Sequence, residues 1–357
     1  MKNKRNIVII VALVAVVVIL AIILFGKMQK TKTTSNKNIE ETKTAEETQK
    51  EDQKSEVKDT NVDIVNVNSK TRPYAIVVNN TPVAVKVQTG LNKAYLVYEI
   101  PTEGNTSRLM ALYKDISEDL KVGTIRSSRH NFIDYALESD SIYVHFGWSH
   151  YAEDDQKAGS INYLNGLFDK PFWRENPENL ATEHTAYTST EQIKSAVTSK
   201  GYKIESDKTI LLNYNTEDTD LSQKERTKQA TKVTIPYGSA PNITTFEYDS
   251  QNKMYNRLEN GEQCIDHETK EKINTKNIII QKINYSMCSD NYYWDLKTIG
   301  TGDGYFITNG YAVPIKWSKT SRSAKTKYTY LDGTEINVSD GRTYIELQTN
   351  NQQFTIE

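Results

Sequence analysis

The chain has 357 residues, with 44 lysines and arginines against 46 aspartates and glutamates, so its formal net charge is −2 at pH 7. A nucleic-acid-binding protein usually carries an excess of positive charge on one face, and this balance excludes that class. The length beyond an apolar N-terminal segment is sufficient for about two domains.

The first predicted element is an uncharged run of nineteen apolar residues, Ile7 to Phe25. A run of this length can span a bilayer as a helix. It lacks the small-residue cleavage site of a signal peptide, so it is predicted to be an uncleaved signal anchor, with a buried core helix as the alternative. Lysines flank both ends, but the short N-terminus favours a cytoplasmic stub at residues 1–6 and an extracytoplasmic remainder. The expected localisation is therefore the cell membrane, with a single pass.

Residues 26–70 contain no aromatic side chain and are rich in Lys, Glu, Thr, Asn and Gln. Such a composition cannot bury enough apolar surface to offset the entropy of ordering, and it predicts a disordered linker. Only Val62 to Val65 could pair weakly as a strand.

The predicted N-terminal domain, residues 71–205, mixes strands and helices. Short apolar runs predict strands, and Arg129 to Leu137 has helical spacing. Ser189 to Gln192 has the form of a capping box that opens a second helix, which Gly201 ends. The predicted strands lie at 75–78, 95–100, 109–113 and 141–146.

The predicted C-terminal domain, residues 220–357, is mostly β. Asp332-Gly333 between two such runs is a hairpin signal. The whole fold class is therefore α+β, with a mixed α/β N-terminal domain and a mostly β C-terminal domain behind a single transmembrane helix. The clearest predicted strands of the C-terminal domain lie at 244–248, 277–283, 304–307, 313–317, 327–331 and 343–347.

A polar cluster in the N-terminal domain is the main candidate site. Arg108, Arg126 and Arg129 surround Ser127 and Ser128 at the predicted start of a helix. Guanidinium forks, hydroxyls and free helix N–H groups together favour an anion such as a phosphate, a pyrophosphate or a glycan carboxylate.

Two acidic residues at the end of a neighbouring strand leave a second interpretation open. Glu99 and Glu103 could instead pair with the three arginines as a structural network. If the cleft were catalytic, either glutamate could act with His145 as acid and base.

Other histidines carry weaker signals. A metal site would recruit His150 with Glu153, Asp154 and Asp155, but their spacing fits no known ligand pattern, and Ser149 is more simply a helix cap. We therefore expect no metal. His184 either faces the same cleft as the arginines or is a turn histidine.

Cys264 and Cys288 are the two cysteines of the chain. Outside the cytoplasm they could form a disulfide, and two free thiols are the equal alternative. The chain has no P-loop, no dinucleotide-binding fingerprint and no nucleophile elbow, so no cofactor is expected.

A set of short stretches in a fixed order is informative: 72–75, 79–80, 97–99, 103–104, 108–112, 126–129, 142–145, 184 and 187–189, then 255–257, 277–281, Gly300, Gly302, Trp317 and 341–343. Together these stretches resemble the DUF3048 (YerB-like) lipoprotein family over about residues 71–350. The resemblance implies an envelope protein of Gram-positive bacteria held outside the cell, and it implies no settled activity.

This chain departs from the family pattern in four places. It lacks the lipoprotein cysteine of many relatives. Asn79-Asn80 replaces an Asp-Asn pair, which removes one candidate acid, and Gly104-Asn105 replaces Gly-Gly. Phe146-Gly147-Trp148 replaces a small, glycine-rich segment. Asn80 and His184 join the candidate ligand-binding residues.

Two functions follow as hypotheses. The first is a membrane-anchored binding or scaffold module of the cell envelope that recognises an anionic wall polymer or precursor, or envelope proteins. The alternative is an envelope hydrolase or transferase that acts on glycan or phosphate bonds. Whether the protein is an enzyme is left open.

Overall fold

The structure is a computed structural model that describes residues 62–238 and 242–357. The predicted stub, the apolar run at 7–25 and linker residues 26–61 lie outside the described residues. Within the described ranges, no helix combines the length and the apolar character needed to cross a membrane.

Three helices and twenty-four strands make up the described part of the chain. The helices are α1 (His130–Glu138), α2 (His150–Lys157) and α3 (Thr190–Ser199). The strands up to residue 215 are β1 (Tyr74–Asn79), β2 (Leu96–Thr102), β3 (Thr106–Tyr113), β4 (Lys121–Gly123), β5 (Ile142–His145), β6 (Tyr163–Asn165), β7 (Trp173–Arg174), β8 (Ala186–Ser189) and β9 (Asn213–Asn215). The later strands are β10 (Lys228–Gln229), β11 (Lys232–Pro236), β12 (Ile243–Asp249), β13 (Met254–Glu259), β14 (Glu262–Gln263), β15 (Asn274–Thr275), β16 (Asn277–Ile283), β17 (Tyr285–Met287), β18 (Trp294–Leu296), β19 (Gly300–Thr308), β20 (Tyr311–Lys319), β21 (Lys327–Tyr330), β22 (Asn337–Ser339), β23 (Thr343–Thr349) and β24 (Thr355–Ile356).

One eleven-stranded sheet contains strands from both predicted domains. Its order is β10-β20-β19-β16-β23-β2-β3-β1-β5-β6, with β21 paired to β20. The two halves join where β2 pairs in parallel with β23, from Leu96 opposite Thr343 to Glu99 opposite Glu346. The boundaries 71–205 and 220–357 stay predictions, but the strands on either side of them are hydrogen-bonded into one sheet.

The predicted fold class was wrong in its balance of helix and strand. The described chain is mostly β, with only three helices. The N-terminal strands do not form a separate α/β layer, because β2 is hydrogen-bonded directly to β23 of the C-terminal half. The apolar runs were recognised correctly, but β2, which pairs with its neighbour β3 on one side, pairs on the other side with β23, more than two hundred residues away.

Both faces of the large sheet are buried, which explains why apolar residues occur at both inward and outward positions of its central strands. Val77, Tyr98 and Leu112 belong to one apolar cluster, together with Phe132 and Tyr135 of α1. Val78, Val97 and Leu109 belong to the other, together with Ile193 and Val197 of α3.

A second, six-stranded sheet has the order β14-β13-β12-β11-β24, with β15 paired to β13. Val233 of β11, Phe246 of β12 and Tyr255 of β13 share the second apolar cluster with the large sheet. This packing brings charged side chains of β13 against β2, with consequences for the candidate site.

The local signals of the sequence are confirmed where they are strongest. Ser189 caps α3 by accepting a hydrogen bond from the backbone N–H of Gln192, and Gly201 follows with φ of 64°. Residues 62–70, assigned to the linker, instead contact the fold. Val65 is buried, and the backbone N–H groups of Asp63 and Ile64 donate to the carboxylate of Asp340.

Candidate functional site

The arginine cluster lies at one end of the large sheet. The parallel strands β1 and β5 both end there, at Asn79 and His145, and antiparallel β3 begins there, with Arg108 opposite Asn79. The loop 124–129 crosses this end. The backbone N–H of Arg126 donates to Val77 O at 2.9 Å, and that of Ser128 donates to Gly147 O at 2.9 Å. The sheet thus collects residues that are far apart in sequence.

Glu103 neutralises two of the three arginines. Its carboxylate accepts hydrogen bonds from Arg129 Nε at 2.8 and 3.1 Å, and Arg108 Nη2 lies 3.7 Å away. Burial acts to raise the pKa of Glu103, but the hydrogen bonds from Arg129 and the charges of both arginines outweigh it and lower the pKa. Burial and the charge of Arg129 lower the pKa of Arg108 to about 9. Arg108 and Arg129 therefore fit the structural interpretation.

Arg126 differs from its two neighbours. Its side chain is 22% exposed, against 10% for Arg108 and Arg129. Its contacts to Glu183 are long, at 3.4 Å to the carbonyl oxygen and 3.8 Å to the carboxylate, and that carboxylate is half exposed. Arg126 Nε is buried without a hydrogen-bond partner among the described residues. Its guanidinium is thus the least satisfied cation of the cluster.

His184 lies beside Arg126 on the 3-10 helix Thr182–His184. Its Nδ1 is 2.8 Å from Asn79 Nδ2. Burial and the positive charge of Arg126 lower its pKa. On the other side of the same helix, Arg174 contacts Thr182 O and Thr185 Oγ1 and lies over the ring of Phe146, 4.6 Å from its centroid. Arg126, Arg174 and His184 form a partly exposed basic surface.

His145 is enclosed and does not open to a cleft. Its side chain has no exposed surface. Nδ1 lies 2.8 Å from Gly147 O and Nε2 lies 2.7 Å from Gln156 Oε1. Burial lowers its pKa to about 4, so the ring is neutral at pH 7. His145 links the end of β5 to helix α2.

Ser127 and Ser128 have different surroundings. Ser128 is buried, and its Oγ accepts hydrogen bonds from Tyr143 Oη at 2.9 Å and from Gln156 Nε2 at 3.2 Å. It belongs to the same buried network as His145. Ser127 is partly exposed, and its carbonyl oxygen accepts a hydrogen bond from Arg108 Nη1 at 2.6 Å.

Glu99 and Asn80 lie in a separate, fully buried network. Glu99 Oε1 accepts hydrogen bonds from Asn80 Nδ2 at 3.0 Å, Ser107 Oγ at 2.6 Å and Thr244 Oγ1 at 2.9 Å. Its Oε2 lies 3.0 Å from Arg257 Nη2. The structure therefore does not bring Glu99, Glu103 and His145 together, and their geometry gives no support to an acid–base pair.

The C-terminal half supplies charged residues that the sequence analysis did not single out. Arg257 Nη2 also contacts Glu259 Oε2 at 3.1 Å, and Tyr237 Oη donates to Glu346 Oε2 at 2.6 Å. The sequence signal that could have identified them is the alternation of buried and partly exposed residues along a strand. In β13 the buried residues Tyr255, Arg257 and Glu259 alternate with partly exposed residues. A charged side chain at an inward position of a strand indicates a buried partner.

Cys264 and Cys288 are not bonded to each other in the structure, and the choice between a disulfide and two free thiols stays a prediction. Cys264 is buried, and its Sγ lies 3.1 Å from Arg257 Nη1. Cys288 follows β17, and its Sγ lies 4.0 Å from His130 Nε2. Burial raises the pKa of both thiols.

The acids near His150 have other partners. Glu153 pairs with Lys157 at 2.6 Å, and Asp155 binds Arg322 through two hydrogen bonds. Ser149 Oγ caps α2 by accepting from Ala152 N. No group of three or more His, Cys, Asp or Glu residues within 62–238 and 242–357 is arranged to hold a metal ion.

Comparisons with known proteins agree with this fold. Residues 60–203 match the family described as "Protein of unknown function (DUF3048) N-terminal domain", and residues 233–345 match its C-terminal domain. A protein of Bacillus subtilis (strain 168) named "Putative lipoprotein YerB" is 31% identical over 284 residues, which cover 78% of this chain and 82% of that protein.

The crystal structure of YerB protein from Bacillus subtilis is similar with a TM-score of 0.69. The identity is 28%, and the match covers 80% of this chain and 94% of that chain. Since both family domains match in chain order and the relative shares the fold, the chain belongs to the DUF3048 family.

Proposed function

We propose that this protein is an extracytoplasmic binding module of the cell envelope that holds an anionic polymer or polymer precursor at Arg126. One observation carries the proposal. Of the three arginines at this end of the sheet, Arg126 alone has no buried carboxylate against it. A guanidinium without such a partner is a ready donor for a phosphate or carboxylate.

The charges around Arg126 support an anion. Three guanidinium groups lie at this end of the sheet, and the one buried carboxylate of the cluster, Glu103, pairs with Arg108 and Arg129, so the cluster has a surplus of positive charge. Glu183 is half exposed and 3.8 Å away, and water screens so loose a pair. An incoming anion can take its place at small cost.

The neighbouring surface extends the proposed site beyond one residue. Arg174 and Arg126 contact carbonyl oxygens of the same 3-10 helix, at Thr182 and Glu183, and His184 is the last residue of that helix. Phe146 offers a ring edge and a face that Arg174 partly covers. A polymer with charges at regular intervals can contact Arg126 and Arg174 at once, and linked contacts of this kind add to affinity.

Binding is favoured over catalysis by the state of the acids and bases. Two arginines hold Glu103, and no open cleft reaches His145. A hydrolase or transferase needs a carboxylate or imidazole within reach of its substrate. No geometry among the predicted catalytic residues supplies one.

The proposed location rests on the relative. The Bacillus subtilis protein is named a lipoprotein, and lipoproteins are held at membranes. An envelope rich in anionic polymers would bring a high local concentration of ligand to the proposed site.

The test is isothermal titration of the purified full-length protein with poly(glycerol phosphate) and, separately, with polygalacturonate. Arg126→Ala should weaken binding about tenfold or more, the effect of one lost charge-assisted hydrogen bond. It should shift Tm by less than about 3 °C, because its only ion pair is loose. Arg226→Ala is the matched control, since Arg226 is exposed and pairs only with its neighbour Glu225.

Arg126→Ala with unchanged affinity for both polymers would refute the proposed site. The absence of binding by the wild-type protein at 50 mM salt would refute the function. Stronger binding of one polymer identifies phosphate or carboxylate as the recognised group.

A further inference from the structure

A cavity of about 400 Å³ lies between the β1–β2 connection and the end of β13. Pro82 and Val85 come from the connection, and Ile265 comes from the segment after β14. These side chains give the cavity apolar walls. The cavity contains none of the residues of the Arg126 surface, so it is a separate feature of the molecule.

One carboxylate oxygen marks the inner end of this cavity. Glu259 lines it and is only 5% exposed. Its Oε2 accepts hydrogen bonds from Thr244 Oγ1 at 3.2 Å and Arg257 Nη2 at 3.1 Å. Its Oε1 accepts no hydrogen bond from residues 62–238 and 242–357, which leaves this oxygen able to accept one from a ligand in the cavity.

The network behind Glu259 has too few cations. Glu99, Glu259 and Glu346 surround a single guanidinium, that of Arg257. Burial and the charge of Glu99 raise the pKa of Glu346 well above its ordinary value, which favours the uncharged form of that group. One guanidinium then still faces two carboxyl groups, and Glu259 is the one that reaches the cavity.

The mouth of the cavity has the opposite character. Lys86 and Lys270 line it and are exposed. Neither lysine forms an ion pair among the described residues. Their charges would repel a bare cation at the entrance but would attract an anionic group at the outer end of a ligand.

We propose that this cavity binds a primary ammonium group on a short alkyl stem, with the ammonium hydrogen-bonded to Glu259 Oε1. The stem lies against Pro82, Val85 and Ile265. An anionic group on the far end of the stem lies near Lys86 and Lys270. The chemistry is that of an ω-amino acid or of a lysine side chain next to a carboxylate.

Proton linkage gives this proposal a distinctive readout. Burial and the charge of Glu99 raise the pKa of Glu259 to about 7, against the opposing charge of Arg257. An ammonium ion binds the ionised carboxylate, so its affinity should fall as Glu259 takes up a proton. From pH 8 to pH 6 the Kd should rise about tenfold. The titratable or charged groups that face Glu259 or line the cavity are Glu99, Arg257, Cys264, Glu346, Glu262, Asp266, His267, Lys86 and Lys270.

The experiment titrates the full-length protein with 6-aminohexanoate, hexanoate and hexylamine by calorimetry at pH 6, 7 and 8. We expect 6-aminohexanoate to bind best, hexylamine more weakly and hexanoate not at all. At pH 7, buffers of different ionisation enthalpy should reveal release of about half a proton per bound ligand. Nα-acetyl-lysine should bind like 6-aminohexanoate if the natural source is a peptide, and less well if the source is a free amino acid.

Glu259→Gln should weaken binding of 6-aminohexanoate at least tenfold and abolish proton release. Glu262→Gln is the matched control, because Glu262 lines the same cavity but is exposed and outside the buried network; its Kd should change less than twofold. Equal binding of hexanoate and 6-aminohexanoate, a Kd independent of pH, or no binding at 20 mM ligand would each overturn the proposal. These three outcomes need only the wild-type protein, so they decide the matter even if Glu259→Gln does not fold.

Discussion

Replacing Arg257 with methionine tests how far one buried cation holds the two sheets together. Arg257 has no exposed surface and contacts Glu99 of the large sheet and Glu259 of its own strand. Methionine keeps the length and apolar character of the stem and removes only the guanidinium. The carboxylates of the network then have no cation among their hydrogen-bond partners.

The expected loss is large because the partners stay behind. Removing one member of a buried ion pair typically costs about 3–5 kcal/mol, since the remaining charge is desolvated without compensation. Arg257 has two such partners, so we expect Arg257→Met to lose about 4 kcal/mol of unfolding free energy at pH 7. At pH 5 the loss should be smaller, because the stranded carboxylates can take up protons in the folded state.

The assay is urea unfolding at equilibrium, followed by fluorescence of the four tryptophans. Arg322→Met is the matched control. Arg322 also binds two carboxylates, those of Asp134 and Asp155, but its side chain is 42% exposed. Water can replace its hydrogen bonds, so this variant should lose about 1 kcal/mol or less.

A double variant checks the cause. Adding Glu99→Gln to Arg257→Met removes one stranded charge, and we expect it to recover about 1–3 kcal/mol. If Arg257→Met stays within about 1 kcal/mol of the wild type, or if Glu99→Gln lowers stability further, the charge argument is refuted. Loss of packing around the guanidinium would then be the better explanation.

Two further predictions concern single groups. Glu259 has a pKa of about 7 in the folded state against 4.5 for a free glutamate, so between these pH values it holds a proton when folded. Relative to Glu259→Gln, the wild type should therefore lose about 2–3 kcal/mol of unfolding free energy between pH 5 and pH 8, as measured by urea unfolding. Comparing the wild type with the variant cancels the contribution of His145, whose lowered pKa makes stability rise with pH below pH 6.5. A difference in unfolding free energy between the two proteins that does not change with pH would contradict the assignment. With a thiol reagent, Cys288 should react in the folded protein and Cys264 only after denaturation, because Cys264 is buried; rapid reaction of both would contradict the structure.

The sequence predicted individual elements well where their signals are local. The run at 75–78 lies within β1, and the helical spacing at 129–137 matches α1 to within one residue. The Asp332-Gly333 signal coincides with a turn between β21 and the segment before β22, where Gly333 has φ of 87°. Each of these depends on residues within one turn or one strand.

Strand order could not be predicted in the same way. Residues 96–99 pair with 343–346, and nothing in either run identifies the other. Both runs are buried on both faces, so alternation does not distinguish a central strand of one sheet from a strand of another. This is why two separate domains of different class were expected and one shared sheet was found.

The candidate site was predicted in composition but not in its pairings. Glu99 and Glu103 are four residues apart and looked equivalent. Glu99 lies within β2 and shares a face with Val97, which points it toward the six-stranded sheet and Arg257. Glu103 follows the end of β2, where the chain turns toward Arg129. Strand alternation alone would place both glutamates on one face, because they are four residues apart, so only the end of β2 at Thr102 and the turn after it set Glu103 apart.

The two clusters have charge imbalances of opposite sign, and this is informative about function. If both were only structural, each should be close to neutral, because an uncompensated buried charge costs several kcal/mol. Instead the arginine cluster has more cations than buried acids, and the network around Arg257 has more acids than cations. Arg126 Nε is buried without a hydrogen-bond partner among the described residues, and the Arg126 side chain is 22% exposed. In the network around Arg257 the corresponding atoms are Arg257 Nε and Glu346 Oε1, which are enclosed, whereas Glu259 is the acid of that network that lines a cavity. The charge imbalances therefore reach the surface at Arg126 and a cavity at Glu259, where a bound anion and a bound cation would reduce them.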